Sequence, residues 1–486
     1  MPGLLKRLLA SGAAFQASSL LAAVLALFTL PLYTRHLTRG ELGYAETLLT
    51  VIILVSILLR LGVGEAFVRF YFEGEDPVRR TALARTATGF VLSTTTVAAA
   101  IGLALAGPLS QLLLGARDAT LMAFGVLGLW AFTNLEIAYA LLRVDERRRT
   151  YLIASATNVV LTVALTVTLV VGLDGGARGY VLGNYAASTV VLVGLWALAL
   201  RGRVTVALRP PPGLGALLRF GAPTVPADAA VFALNVVDRA YLLRVESPAS
   251  AGLYAASTKL ATIVIVAVRG FQLAWPPLAY SVTDEAQARR LYATVTTAYV
   301  LGAGLIVAAL TLLGRWAVRL LLAEPFFGAH EALAWVALGW ALYGLFLVFV
   351  TIAGRAKVTA RTFPAAALGL AVNVGMLVTL VGPLGIAGAG IALCAAYVAM
   401  LVSAHLLTRR LFAVPFEWGR LATLVAVMAG VAVTGELLLP DEGALGFLAR
   451  ALALAAIVPL LFVAGFFRPE EIALARSALR RGPRSY

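Results

Sequence analysis

The stretch FTLPLYTR, Phe28–Arg35, ends a long apolar run with a proline and an arginine, and 204 residues later the chain reads FALNVVDR, Phe232–Arg239, with Phe, Leu and Arg in the same places. Further matches follow in order. Gly43, Arg60 and Tyr71 find Gly252, Arg269 and Tyr280 at an offset of 209. RTY at 149–151 finds RTF at 361–363, and Gly176-Ala177 finds Gly388-Ala389, both at 212. A slowly growing offset is what changes in loop length produce in an internal repeat. The repeated unit holds six apolar runs. An even number gives both copies the same orientation in a membrane, related by a pseudo-two-fold axis along the membrane normal.

The composition agrees with a membrane setting. Of 486 residues, 61% are hydrophobic and 13% charged, with a mean hydropathy of +0.92, against about 25% charged residues in soluble domains. Apolar runs of about 20 residues, enough for a helix to cross hydrocarbon, start near positions 11, 42, 82, 119, 150, 179, 214, 250, 291, 328, 360, 385, 421 and 445. The expected fold is all-α: a polytopic membrane protein of about fourteen transmembrane helices. Residues 1–203 and 204–413 form two six-helix lobes in parallel repeat, 414–468 add two helices, and 469–486 form a basic cytoplasmic tail. The first run, Ser11 to Leu32, has no small-residue cleavage site and reads as a retained span.

The net charge of +15 has its explanation in topology. With the N-terminus cytoplasmic, 27 of the 39 Lys and Arg fall on the cytoplasmic side, nine on the other and three (Arg60, Lys259 and Arg269) within spans. This bias places both termini in the cytoplasm and removes the need for a nucleic-acid partner. One cysteine, Cys394, and three scattered histidines offer neither a disulfide framework nor a metal site. No phosphate-binding G-x-x-x-x-G-K-[ST] run occurs, and no carboxylate pair or Ser/His set has hydrolytic spacing. The reading is therefore a carrier without cofactor, metal or catalytic residues. Two lobes rocking about a central cleft supply alternating access.

Charges inside the spans are the candidate functional residues, because an ionised side chain at mid-membrane costs roughly 2.5–3.5 kcal/mol on insertion scales. Arg60 lies 18 residues beyond Leu42, about 27 Å along its helix, where it either snorkels to the headgroups while meeting Glu65 or a neighbouring helix, or else faces Arg269 across the cleft. Lys259, deeper in the eighth span, is expected to line the cavity. Arg35 and Arg239 close the first and seventh spans at the outer side as interface anchors, with Asp238 beside Arg239 as a possible outer gate. Glu46, Asp228 and Glu136 are acids within spans. Asp228 follows Pro223 and Pro226, which open the helix, so it is a candidate for proton or cation coupling or a partner for Lys259, and Glu136 is a second coupling candidate. AWPPLAY, 274–280, reads as a kinked helix end with Trp275 at headgroup level.

LPLYTRHLTRGELGYAETLLT, Leu30–Thr50, resembles the junction of the first two helices in polysaccharide biosynthesis proteins, the Wzx-like oligosaccharide flippases. LGVGEAFVRFYFE, Leu61–Glu73, is similar to the family's next element, and VGPLGIAGAGIALCAAYVAML, Val381–Leu401, to its glycine-rich turn between helices 11 and 12. The resemblance implies the fold of the multidrug/oligosaccharidyl-lipid/polysaccharide (MOP) exporter superfamily and residence in the cytoplasmic (inner) membrane. It implies as substrate a polyprenyl-diphosphate-linked oligosaccharide, an O-antigen, capsule or exopolysaccharide unit, held by a cationic cavity whose counterparts are Arg60, Lys259 and Arg269. The expected partners are this lipid-linked anionic glycan, membrane lipids, and a polysaccharide polymerase or other assembly protein. Arginines in a low-dielectric cleft can replace the water of a diphosphate with charge-assisted hydrogen bonds.

Three other readings stand beside this one. A cation-coupled drug exporter of the same superfamily would favour an acidic pocket and twelve spans, whereas Ser11–Tyr33 contains no acid. A lipid II flippase shares the fourteen spans and the cationic cavity. A membrane glycosyltransferase would show a large outer loop and an acidic catalytic pair, and neither is visible.

Overall fold

In hydrocarbon each backbone must satisfy its own polar groups, so the apolar runs are helices. The computed structural model describes residues 21–74, 76–205, 213–356 and 362–469. The start of the first span and the basic tail lie outside these, apart from Pro469. Among the described residues the first half comprises α1 (Leu21–His36), α2 (Arg39–Arg60), α3 (Val63–Tyr71), α4 (Pro77–Ala104), α5 (Ala106–Leu114), α6 (Ala119–Val144), α7 (Arg148–Val167) and α8 (Gly176–Gly194). The second comprises α9 (Leu214–Gly221), α10 (Val225–Tyr241), α11 (Pro248–Leu260), α12 (Thr262–Ser281), α13 (Glu285–Leu321), α14 (His330–Arg355) and α15 (Thr362–Thr408), followed by α16 (Trp418–Leu438) and α17 (Gly443–Val463).

Twelve of the described helices are long and apolar enough to cross a membrane. One of them, α15, is broken at Gly385, whose φ of 53° suits a residue without a side chain. Its two parts, together with the shorter apolar α1, bring the crossings to about fourteen. Polar residues in the turns start the helices: Thr38 and Glu41 cap α2 reciprocally, Asp76 caps α4, Ser247 caps α11 and Asp284 caps α13. The span beginning near 250 is two helices, since the chain breaks at Ala261, two residues after Lys259.

Packing follows one scheme twice. In the first half α4 and α8 lie against α6, with α7 on α8; in the second, α13 and the long α15 lie against α14. Tyr71 at the end of α3 donates to Asp145 just after α6, and its repeat mate Tyr280 donates to the Thr351 carbonyl on α14 (3.4 Å). Arg203 joins the same Asp145, and this contact raises the Arg203 pKa further. Asn134 on α6 donates to Thr95 on α4 (2.9 Å), an interhelical bond within the first half.

The halves meet where α2 packs on α11 and α10. A methyl group on Gly43 would overlap the Pro248 carbonyl, and one on its repeat mate Gly252 would overlap the Arg39 carbonyl. Since Arg39 and Pro248 also stand 209 apart, the contact is self-complementary, as a two-fold axis requires. At the opposite end Gly62 and Gly221 approach each other equally closely, flanked by Phe70 against Phe220 (5.8 Å) and by Arg69 over the Phe220 ring (4.4 Å). The halves therefore touch at both ends of the bundle.

Three expectations are corrected here. Trp275 is 1% exposed: it is packed inside the protein and does not face lipid headgroups as expected for it. Its indole N–H donates to Thr351 (2.8 Å) and its ring packs on Tyr292 (4.7 Å), because α12 runs on as helix through Pro276 and Pro277. Arg450, one of the nine Lys and Arg assigned to the non-cytoplasmic side, is fully buried on α17; it reaches Glu436 (2.7 Å) and the carbonyls of Pro440, Leu439 and Leu312, tying α16 and α17 to α13. Arg239 is likewise interior, as described below.

Replacing Gly252 by valine is expected to force α2 and α11 apart and destabilise the protein by about 1–3 kcal/mol, as overpacking does, read as a lower unfolding temperature in detergent. Arg450→Ala removes the buried guanidinium that joins Glu436 to the Pro440, Leu439 and Leu312 carbonyls, while Glu436 keeps Arg315 at 3.7 Å, and is expected to cost about 1–3 kcal/mol in the same measurement.

Candidate functional site

The interior charges sort into a paired group and an unpaired one. The paired group centres on Glu46, two turns into α2 and 6% exposed. Lys259 Nζ lies 2.7 Å from its Oε1, and the Tyr180 hydroxyl on α8 donates to the same oxygen at 2.7 Å. Arg239 Nη1 lies 3.4 Å from Oε2, 3.4 Å from the Glu46 carbonyl and 2.5 Å from Thr50 Oγ1. The ammonium also stands 5.8 Å from the Tyr180 ring centroid, and Tyr33 meets that ring edge-on at 5.1 Å. Glu46, Thr50 and Tyr180 belong to the first half, and Lys259 and Arg239 to the second. Every charged contact therefore crosses the seam.

Local structure explains this convergence. Lys259 stands in the last turn of α11, where unsatisfied carbonyls favour a cation. Arg239 lies inside a span that runs on to Glu246, and its guanidinium turns to the Glu46 carboxylate. Two cations facing one carboxylate leave one positive charge in excess.

Asp238, next to Arg239 and 1% exposed, turns the other way: it accepts from Tyr254 (2.9 Å) and Asn373 (2.9 Å), inside the second half. The expected pairing of Arg35, Arg239 and Asp238 as one outer gate is thus not what the structure contains. Adjacent helical residues point about 100° apart, which sends Arg239 across the seam and Asp238 away from it. Arg35 is exposed at the end of α1 and lines a surface depression of about 500 Å³ with Arg39, Ala323 and Pro325.

The unpaired group lies towards the other end. Arg60, in the last turn of α2, donates from Nε to the Ser56 carbonyl (3.3 Å), and Arg269 is exposed in the middle of α12. Asp228 is within electrostatic reach of Arg60 and Glu65, while Tyr343 on α14 is within reach of Asp228 and Arg269. Neither arginine makes an ion pair among the described residues, and no such pair joins Arg60 to Glu65. Lys259 takes Glu46 as its partner, so the alternative pairing with Asp228 is not formed. Glu136, half-buried on α6, lies near Tyr139 and Tyr151 and is not brought to either group.

Glu46 is the residue that sequence reasoning named but gave no role. Its signal was present: two interior cations and a lone acid on a neighbouring apolar helix need one another in a low-dielectric interior. Tyr180 and Thr50 carried no such signal, since neutral hydroxyls are common in spans. No group of three or more His, Cys, Asp or Glu suited to a metal occurs among the described residues.

The overall architecture matches solved transporters. Lipid II flippase MurJ in an inward closed conformation superposes with a TM-score of 0.76 at 13% identity, over 93% of this chain and 98% of that one. An inward-facing multidrug resistance MATE family transporter of the MOP superfamily gives 0.65 at 15% identity, over 80% and 93%. The Vibrio cholerae MATE transporter VcmN in its bent form gives 0.53 at 17% identity, over 86% and 99%. No curated protein sequence matches the chain. The model of the family described as polysaccharide biosynthesis protein matches residues 8–278, more than half of the chain. On that match, carried on a MOP exporter fold, the chain belongs to the polysaccharide biosynthesis protein family.

Proposed function

We propose that this protein is a flippase that moves a polyprenyl-diphosphate-linked oligosaccharide across the cytoplasmic membrane by alternating access, its anionic headgroup held between the two halves. The observation that carries this reading is the pair Arg60 and Arg269, one half-buried and one exposed, both on membrane-spanning helices and outside any ion pair among the described residues, in a chain of this family. A cation carried on a membrane-spanning helix without a carboxylate is costly on its own, and a diphosphate is the partner that offsets this cost. Guanidinium binds phosphate oxygens in a bidentate fork.

The remaining residues fit the same cycle. Gly43 with Gly252 and Gly62 with Gly221 are the close contacts that must part in turn at the two ends. With both termini cytoplasmic, as the Lys and Arg distribution favours, the Gly43 end faces outward and Arg60 lies towards the inner leaflet that loads the substrate. Asp228, exposed and within electrostatic reach of Arg60, is the carboxylate through which a coupling cation would act. The polyprenyl tail stays in lipid, and no chemical bond changes, so no catalytic residue is required.

Purified protein in liposomes is expected to transfer a fluorescent polyprenyl-diphosphate oligosaccharide between leaflets well above empty liposomes. No transfer of this substrate, with transfer of lipid II in its place, would assign the fold to peptidoglycan precursor export. Arg269→Ala is expected to lower the transfer rate at least about tenfold, the effect of losing one charge-assisted contact, while abundance and membrane insertion stay normal. Wild-type transfer by that variant would remove Arg269 from the site.

A further inference from the structure

Lys259 and Arg239 present cationic groups from α11 and α10 towards one point on the seam, with the Thr50 and Tyr180 hydroxyls beside it. Such a set binds the oxygens of a phosphate or carboxylate, and the oxygens now held there belong to Glu46. Lys259 keeps 20% of its side-chain surface exposed, against 12% for Arg239 and 8% for Glu46, so the group is most open on the side of Lys259. One carboxylate also leaves a positive charge unmatched, whereas a diphosphate carries enough negative charge to match both cations.

Resting on the flippase reading, we propose that Glu46 is a tethered stand-in for the substrate anion. In the state described it fills a second oxyanion site made by Lys259 and Arg239, and thereby bolts α2 to α10 and α11. The phosphate or sugar carboxylate of the substrate displaces it there, and loss of the cross-seam contacts frees the Gly43–Gly252 end to open. Closure at that end is thus released by the cargo, and an empty carrier keeps it shut. Tyr180, on the same half as Glu46 and already donating to it, keeps the displaced carboxylate hydrogen-bonded.

The test uses the full-length protein in nanodiscs with two probes, farnesyl diphosphate and glucuronic acid, which separate the phosphate from the sugar-acid source. Glu46→Gln removes the competing charge and is expected to bind one of the probes about tenfold more tightly than wild type. Glu46→Gln/Lys259→Gln is expected to lose that gain. Closure is read independently from a disulfide between Gly40→Cys and Pro248→Cys in a Cys394→Ala background. A Cβ at Gly40 would stand 3.5 Å from that of Pro248, within the disulfide range of about 3.5–4.5 Å. Cross-linking is expected to slow several-fold when the bound probe is added to the otherwise wild-type protein, so the proposal stays testable if Glu46→Gln fails to fold. Glu46→Gln binding neither probe more tightly than wild type, or cross-linking unchanged when the wild-type site is saturated, would overturn the proposal. Liposomes that transfer no lipid-linked glycan while Glu46→Gln gains affinity would instead keep the site and remove the flippase reading.

Discussion

A charged carboxylate buried among helices needs cations or hydrogen-bond donors, and for Glu46 both cations within reach belong to the other half of the molecule. This constraint sets the register of the seam. Lys259 and Arg239 reach Glu46 only because the α2 and α11 backbones are nearly in contact at Gly43 and Gly252, about one turn away along α2. Backbone approach without the ion pairs would leave desolvated charges, and the ion pairs without the approach could not form. Small residues and intramembrane charges, each unremarkable alone, thus define one joint.

The same helix serves two environments. On α10, Arg239 belongs to the seam and Asp238 to the core of the second half, with Tyr254 and Asn373 as its donors. A movement of α10 is therefore transmitted both to α2 and to α11 and α15. At the far end of the chain the buried Arg450 binds α16 and α17 to α13, and Glu417 meets Arg420 and Arg468 near the opposite ends of the same two helices. These added helices are fastened at both ends to one helix of the second half.

Much of this was legible in the sequence. Span positions, the repeat and its same-sense orientation follow from apolar run length and from matched positions such as Gly43 and Gly252, which do meet at the two-fold contact. Depth was less legible. The offset that pairs Arg60 with Arg269 predicts a helix break near 270, but the second half breaks at Ala261, so Arg60 ends a helix while its mate lies in mid-helix. Arg35 and Arg239 likewise occupy matching places in the repeat but not in the structure, since α1 ends at His36 and the span holding Arg239 runs on to Glu246. Trp275 resembled an interfacial residue because prolines follow it, yet its helix continues through them.

Residue order alone makes this chain a two-fold repeat of membrane helices with charge kept in its interior, because hydrocarbon imposes run length and penalises charge wherever it falls. Which charge meets which depends on how the helices pack. Pairing depends on the rotation of each helix about its axis and on a few ångströms of separation, and both are set by contacts between residues some two hundred positions apart. Glu46 was visible as an acid in an apolar run. Its two cations, from helices of the other half, became its partners only when the seam closed.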